Sequence, residues 1–320
     1  MLLFEDIVRA EKIVSKHIVT TPVVHSKALS EAVGKQIYLK LENQQITGSF
    51  KIRGAINAIT NLNPAQKKAG VVALSTGNHG RGLAFAANLM KIRCVICMSK
   101  LVPNNKIEGI KALGAEVRLI GENQDEAQLE ADRLSIEEWR TYVSPFDNID
   151  VIAGQGTLGL EIHRQIPKLS FAFVPLSGGG LICGVAKALK NLNRNLKVIG
   201  VSMDRGAAMY ESQKAGKPIF VKEEKSLADA LTGGIGLDNK YTFQLTKQLV
   251  DEIVLVSEKE IADGIHYAYW HESQIVEGAG AVAIASLLNK KFKPNGPSVA
   301  LMCGRNINME KHFSLISAKS

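Results

Sequence analysis

Eight short apolar runs recur along this 320-residue chain, each separated from the next by a helix-like segment. They read QIYLKLE (36–42), GVVALS (70–75), RCVICM (93–98), EVRLIG (116–121), FAFVPLS (171–177), KVIGVS (197–202), EIVLVS (252–257) and SVALMC (298–303). Most are β-branched and apolar throughout rather than alternating, as strands covered on both faces must be. Strand and helix taking turns in this way predicts an α/β protein with parallel sheets. The strands between about 70 and 121 predict a smaller inserted domain over 70–148, closing near SPFDNIDVIAGQG, with 1–69 and 149–320 forming the larger domain.

Composition removes several classes of function. Hydrophobic residues make up 46% of the chain, enough for a sizeable core. The formal charge of +8 comes from scattered Lys and Arg with no aromatic residues interleaved, which argues for a solvated surface and against a nucleic-acid partner. The opening MLLFEDIVRAEKIV carries Glu5, Asp6 and Arg9 among its apolar residues, so it reads as an amphipathic helix rather than a signal peptide. No run has the length of a membrane-spanning helix. Cys94, Cys97, Cys183 and Cys303 are too few and too dispersed for a disulfide framework, and a cytoplasmic location is expected. In RCVICM the two cysteines stand three apart on a strand and point to opposite faces, which argues against a redox or zinc pair.

Chemistry concentrates at strand ends. In ITGSFKIRGA, Lys51 is followed by Ala55, Ala58 and Leu62 at helical spacing, so the lysine shares an apolar stripe and faces inward. An ammonium without a partner is costly to bury, and such a lysine has its pKa lowered or its nitrogen put to chemical use. A lysine snorkelling from a helix end is the plainer alternative. LSTGNHGRG (74–82) places Ser75, Thr76 and Asn78 with open N–H groups before a helix, a receptor for a carboxylate or simply a well-capped turn. VPLSGGGLICGVA (174–186) runs from strand through three glycines into a helix, which suits a phosphate; it matches neither the Walker loop nor the dinucleotide fingerprint. LMCGRNIN (301–308) sets Cys303 and Asn306 just after a strand, at the rim where α/β sheets bind ligands. A reactive lysine, a carboxylate receptor and a phosphate cradle together suit an aldehyde cofactor bearing a phosphate, namely pyridoxal phosphate, acting on an amino acid.

The segments GSFKIRGA, STGNHGRGLAFAA, AGQGTLGLEI and SGGGL closely resemble the threonine/serine dehydratase and serine racemase family of pyridoxal-phosphate enzymes. The resemblance runs from about residue 5 to 307. It implies the tryptophan-synthase-β-like fold, also called fold type II, in which two three-layer parallel-sheet domains hold the cofactor between them. It makes Lys51 the lysine bonded to the cofactor and the base at Cα, Phe50 a neighbour of the pyridine ring, and Asn78 the partner of the ring hydroxyl. Ser177, Gly178, Gly179, Gly180 and Leu181 become the phosphate loop, and Cys303 the partner of the pyridine nitrogen. Ser75, Thr76, Gly77, Asn78 and His79 become the holders of the substrate carboxylate. The implied reaction eliminates water from a β-hydroxy amino acid such as L-threonine or L-serine, giving a 2-oxo acid and ammonia, in a homodimer with no membrane or nucleic-acid partner.

Departures from the family pattern narrow this reading. Serine racemases carry a serine as acid/base at the position of the catalytic candidate Thr76; threonine keeps the hydroxyl but is bulkier, which argues against racemisation, the second reading. A protein that merely binds the cofactor or a phosphate ligand is the third, and the intact Lys51 argues against it. In SMDRGAAMYES, Ser202 and Ala208 replace the carboxylates that hold a divalent cation in many relatives, so no metal is expected. SMDRGAAM, SLADALTGGIGLDN, IVEGAGA and CGRNI resemble a subgroup assigned to hydroxyectoine utilisation, whose substrate is a hydroxyectoine-derived amino acid. That resemblance makes Arg81, Asp204 and Arg305 candidates for reading the side chain, with a surface charge or a structural salt bridge as the alternative for each; Glu277 in IVEGAGA is a candidate neighbour of the ring or a structural residue. His79 is expected to contribute its backbone rather than act as a base. The chain stops soon after CGRNIN, and no C-terminal regulatory domain is expected.

Overall fold

The computed structural model describes residues 1–75, 77–102 and 104–317. All eight apolar runs form strands, and two short strands join them. In chain order they are β1 (Val23–His25), β2 (Ile37–Lys40), β3 (Val71–Leu74), β4 (Cys94–Met98), β5 (Glu116–Leu119), β6 (Thr141–Tyr142), β7 (Phe171–Pro175), β8 (Lys197–Met203), β9 (Glu252–Val256) and β10 (Ser298–Leu301). They divide into a six-stranded sheet of order β1-β2-β10-β7-β8-β9 and a four-stranded sheet of order β5-β4-β3-β6. Every pairing is parallel except that of β1 with β2, where an antiparallel edge strand caps the larger sheet. The parallel reading therefore holds for the core and fails at that edge. β1 and β6 were not visible as apolar runs because they are only three and two residues long and half-buried or exposed.

Burial follows the pattern of the runs. β4 and β7 are buried at every position, as strands with helices on both faces should be. Cys94 packs into the core on one side of the smaller sheet and Cys97 into the cluster on the other, so the two thiols face apart. The helix Phe4–Val14 buries Ile7, Ala10 and Val14 and exposes its charged side. Among the described residues no helix is long and apolar enough to cross a membrane.

The helix Lys51–Thr60 lies where the two sheets meet. Its Ile52, Ala55, Ile56 and Ile59 belong to the same apolar cluster as Val71, Ala73 and Ile96 of the smaller sheet. Its first turn is joined to the larger sheet, because Phe50 N–H donates to the Cys303 carbonyl just beyond β10 (3.2 Å). Ser49 and Gly304 also form an isolated antiparallel bridge. Lys51 is thus held between the C-terminal ends of both sets of strands, the position at which open α/β sheets bind ligands.

Candidate active site

One cavity collects nearly all of the chemistry-bearing residues singled out above. Its wall includes Phe50, Lys51, Ser75, Gly77, Asn78, His79, Cys303 and the run Ser177–Leu181. Thr76, expected both as an acid/base and as a carboxylate holder, lies outside the described residues.

Lys51 enters this space from the first residue of its helix. Its Nζ donates to the Pro145 carbonyl (2.7 Å) and lies 5.3 Å from the centre of the Phe50 ring. Among the described residues it has no carboxylate partner within ion-pair distance. Burial lowers its pKa to about 8, against the opposing pull of Cys303 and Glu277. The neutral form, the one that attacks an aldehyde, is consequently far more populated near physiological pH than in a free lysine, although the ammonium still predominates.

The glycine run after β7 is built to receive an anion. Gly179 adopts φ +91° and stands before the helix Gly180–Leu192, which has no side-chain cap. Among the described residues the N–H groups of Gly178, Gly179, Gly180 and Leu181 have no hydrogen-bond partner. Four donors at a helix N-terminus need an external acceptor, and a phosphate supplies one. A Cβ on Gly178 would come within 2.2 Å of the Phe146 ring, and one on Gly180 within 2.8 Å of the Phe146 backbone, so side chains are excluded where the loop passes Phe146.

The segment after β3 combines capping with open donors. Ser75 Oγ accepts from Gly80 N–H (2.8 Å), which uses the hydroxyl oxygen as a cap while leaving its proton available. The capped turn is therefore present in Ser75, and its hydroxyl proton stays free for a receptor role. At the start of the helix Asn78–Leu89, the N–H groups of Asn78 and His79 have no partner among the described residues. His79 Nε2 lies 2.8 Å from the Val143 carbonyl, which only accepts, so that nitrogen carries the proton. Burial and the neighbouring Lys51 lower the His79 pKa to about 3, and the imidazole is neutral. Its side chain is spent on structure.

At the opposite wall, burial pushes the Cys303 thiol well above its ordinary range, and its Sγ donates to the Ala279 carbonyl (3.3 Å). Cys303 therefore presents a neutral thiol. Glu277, which the sequence left open between ring neighbour and structural residue, lines the cavity and is 3% exposed. Burial, reinforced by the charge of Asp229, raises its pKa to about 7 against the hydrogen bond from Asn78.

The residues expected to read a side chain are placed differently. None of Arg81, Asp204 and Arg305 lines the cavity. Arg81 packs its guanidinium against Gly109, Asp204 lies beside Arg205 at the surface (3.7 Å), and Arg305 is exposed. Lys106, Asp229, Thr232 and Gly234 occupy the outer wall instead. Lys106 Nζ and Asp229 Oδ2 stand 3.1 Å apart, the only ion pair among the described residues that joins 70–148 to the rest of the chain. Asp229, Thr232 and Gly234 fall within SLADALTGGIGLDN, one of the segments of the subgroup resemblance, but nothing in the sequence paired Asp229 with Lys106, 123 positions away.

An amine without a counter-ion, an uncapped glycine turn and a neutral thiol around one cavity define an enzyme built around an amine-reactive, phosphate-bearing cofactor. The comparisons with known proteins agree: the chain belongs to the pyridoxal-phosphate-dependent enzymes, whose family model matches residues 14–304. It is 51% identical to a Sinorhizobium fredii protein over 99% of this chain and 96% of that one, which carries a provisional name as a threonine dehydratase. It is 42% identical to the L-threonine ammonia-lyase of Thermotoga maritima over 97% of this chain and 77% of that one. Among solved structures, maize serine racemase superposes with a TM-score of 0.93 at 30% identity, covering 98% of this chain and 96% of the other. The fold is that of the fold type II enzymes of this family.

Proposed function

We propose that this protein is a pyridoxal-phosphate-dependent dehydratase, an ammonia-lyase that converts a β-hydroxy amino acid such as L-threonine or L-serine into a 2-oxo acid and ammonia. The observation that carries the reading is Lys51, half-buried on the cavity wall, whose amine has its pKa lowered by desolvation and shares one cavity with the uncapped Ser177–Leu181 turn. Bound there, pyridoxal phosphate supplies an aldehyde that captures the substrate amine and a ring that spreads the charge left at Cα.

The chain's own groups do the rest. The N–H groups from Gly178 to Leu181 would hold the phosphate. Phe50 would pack beside the ring, and Asn78 would serve as partner of its hydroxyl. The neutral Cys303 thiol would serve the ring nitrogen without forcing a proton onto it, unlike a carboxylate partner, which favours prompt elimination over transamination. The open N–H groups beside Ser75, Gly77, Asn78 and His79 take the substrate carboxylate. That would orient the Cα–H bond toward Lys51, whose amine removes the proton; the Cβ–O bond then breaks, the hydroxide leaving as water with the proton that Lys51 took, and hydrolysis of the released enamine gives the 2-oxo acid and ammonia. Residues 70–148 act as a small domain whose carboxylate receptor faces the larger domain, made of 1–69 and 149–320, across the cavity.

The panel that tests this measures ammonia and 2-oxo acid released by the cofactor-loaded protein from L-threonine, L-serine, threo-3-hydroxyaspartate and a ring-opened hydroxyectoine. Turnover of L-threonine or L-serine is the expected result. Turnover confined to the hydroxyectoine-derived compound replaces it with the narrower subgroup reading, which rests on the SMDRGAAM and CGRNI resemblances. Racemisation of L-serine without 2-oxo acid supports instead the second reading, which the likeness to maize serine racemase favours. The homodimer and cytoplasmic location belong to the same proposal, and sedimentation of the purified protein tests the first of them.

A further inference from the structure

Three side chains on the cavity wall form a hydrogen-bonded chain with a defined direction. Asn306 Nδ2 donates to the Thr47 carbonyl (3.0 Å) and to Asn78 Oδ1 (2.6 Å), and Asn78 Nδ2 donates to Glu277 Oε1 (2.5 Å). A backbone carbonyl can only accept, and so can a carboxylate oxygen without a proton. Acceptors at both ends therefore fix which way the two amides face. Asn306 has both Nδ2 hydrogens spent, whereas Asn78 keeps one Nδ2 hydrogen for the cavity it lines. Room for the chain is made by Gly304, where a Cβ would stand 2.3 Å from Glu277 Oε1 and 3.2 Å from Asn78 Nδ2. The Glu277 backbone is fixed in turn by its N–H, which donates to the Gly304 carbonyl (3.1 Å).

We infer that Glu277 and Asn306 are positioning residues that clamp the Asn78 amide against the cofactor ring, and that the carboxyl of Glu277 makes this clamp respond to protons. The inference rests on the proposed assignment of the cavity to pyridoxal phosphate with Asn78 at the ring hydroxyl. Ionised Glu277 accepts a charge-assisted bond, the stronger kind; once protonated it offers Asn78 only a neutral acceptor. The charged and titratable groups facing Glu277 are Asp229 and Lys106 at the rim, Arg81 from the helix Asn78–Leu89, Lys51 and Cys303. Asp229 opposes ionisation of Glu277, the three cations favour it, and the Cys303 thiol is neutral. With Asp229 and Lys106 paired to each other, burial decides, and the carboxyl titrates near pH 7.

The test is a pH titration of the visible absorbance of the cofactor-loaded protein without substrate, so turnover is not the readout. The wild-type protein is expected to show a band change centred near pH 7. Glu277→Gln keeps an acceptor for Asn78 but cannot ionise, and is expected to bind the cofactor fully while losing that change. Asn306→Ala is expected to keep the change and to weaken cofactor retention by about three- to tenfold, the scale of one or two net hydrogen bonds. A Glu277→Gln protein that titrates as the wild type does, or an Asn306→Ala protein with unaltered retention, overturns the clamp. Should Glu277→Gln block loading, Glu277→Asp carries the test: a displaced midpoint supports the clamp and an unmoved one overturns it. Absence of 2-oxo acid release by the wild type sinks the proposed function instead, and leaves this spectral comparison standing.

Discussion

Lys51 and Arg53 stand two residues apart on one helix and meet opposite electrostatic fates. Arg53 is 1% exposed, yet its guanidinium donates twice to Glu42 (both 2.8 Å), once to Glu161 (2.9 Å) and once to Thr157 (3.3 Å). Burial opposes its charge, but Glu42 and Glu161 outweigh burial and raise its pKa. Lys40 joins the same cluster through Glu161, so two cations and two carboxylates neutralise one another. Lys51 has a carbonyl and an aromatic ring for company, and Glu277, the carboxylate nearest in influence, is itself pushed toward neutrality. A buried charge that is fully paired serves the fold. A buried amine left without a counter-ion keeps its nitrogen free for chemistry.

That contrast breaks most sharply by mutation. Lys51→Ala is expected to lower 2-oxo acid release by at least about 10³-fold with the urea midpoint little changed, because it removes the base and no ion pair. Arg53→Met should do the reverse first. It leaves Glu42 and Glu161 buried with too few cations, at a stability cost of about 3–5 kcal/mol in urea unfolding. If Lys51→Ala instead proved the more destabilising of the two, the division between a structural and a chemical charge would fail.

The next effect concerns capture of the cofactor by cofactor-free protein. Only the neutral amine attacks an aldehyde, so the capture rate in stopped flow should fall about tenfold per pH unit below the Lys51 pKa of about 8 and level off above it. The sign follows from a pKa lowered in the folded state: the proton is lost at lower pH than from a free lysine. A break near the ordinary lysine value would mean that burial does not govern this amine.

Gly178→Ala sharpens the role of the phosphate turn. The added Cβ, 2.2 Å from the Phe146 ring, must push the loop or the ring aside, and cofactor affinity should fall by about tenfold in equilibrium dialysis. Recovery on combining it with Phe146→Leu would locate the fault in that contact. The smallest effect is reserved for Lys106 and Asp229, whose side chains are 25% and 53% exposed. A double-mutant cycle with Lys106→Met and Asp229→Asn should show coupling of only about two- to fivefold in KM for the amino acid, with kcat unchanged, as suits a partly solvated pair.

The sequence alone determined eight of the ten strands and which residues stand at their ends. Runs of β-branched apolar residues declare strands with both faces covered, and glycine or a polar turn at the end of such a run declares where a ligand can approach the backbone. Lys51, Ser75, Gly77, Asn78, His79, Ser177–Leu181 and Cys303 belong to such local patterns, and the structure brings them to one cavity. Pairing across long separations was not legible in the sequence. Asn78 meets Glu277 across 199 positions and Asn306 across 228, and Lys106 meets Asp229 across 123. The subgroup resemblance left Arg81 and Arg305 open between readers of a side chain and structural or surface charges, and packing turned Arg81 onto Gly109 and left Arg305 in solvent. The pKa values of Lys51 and Glu277 belong to the same category. Desolvation depends on what surrounds a group in space, and only the closing of the two sheets around one cavity supplied that.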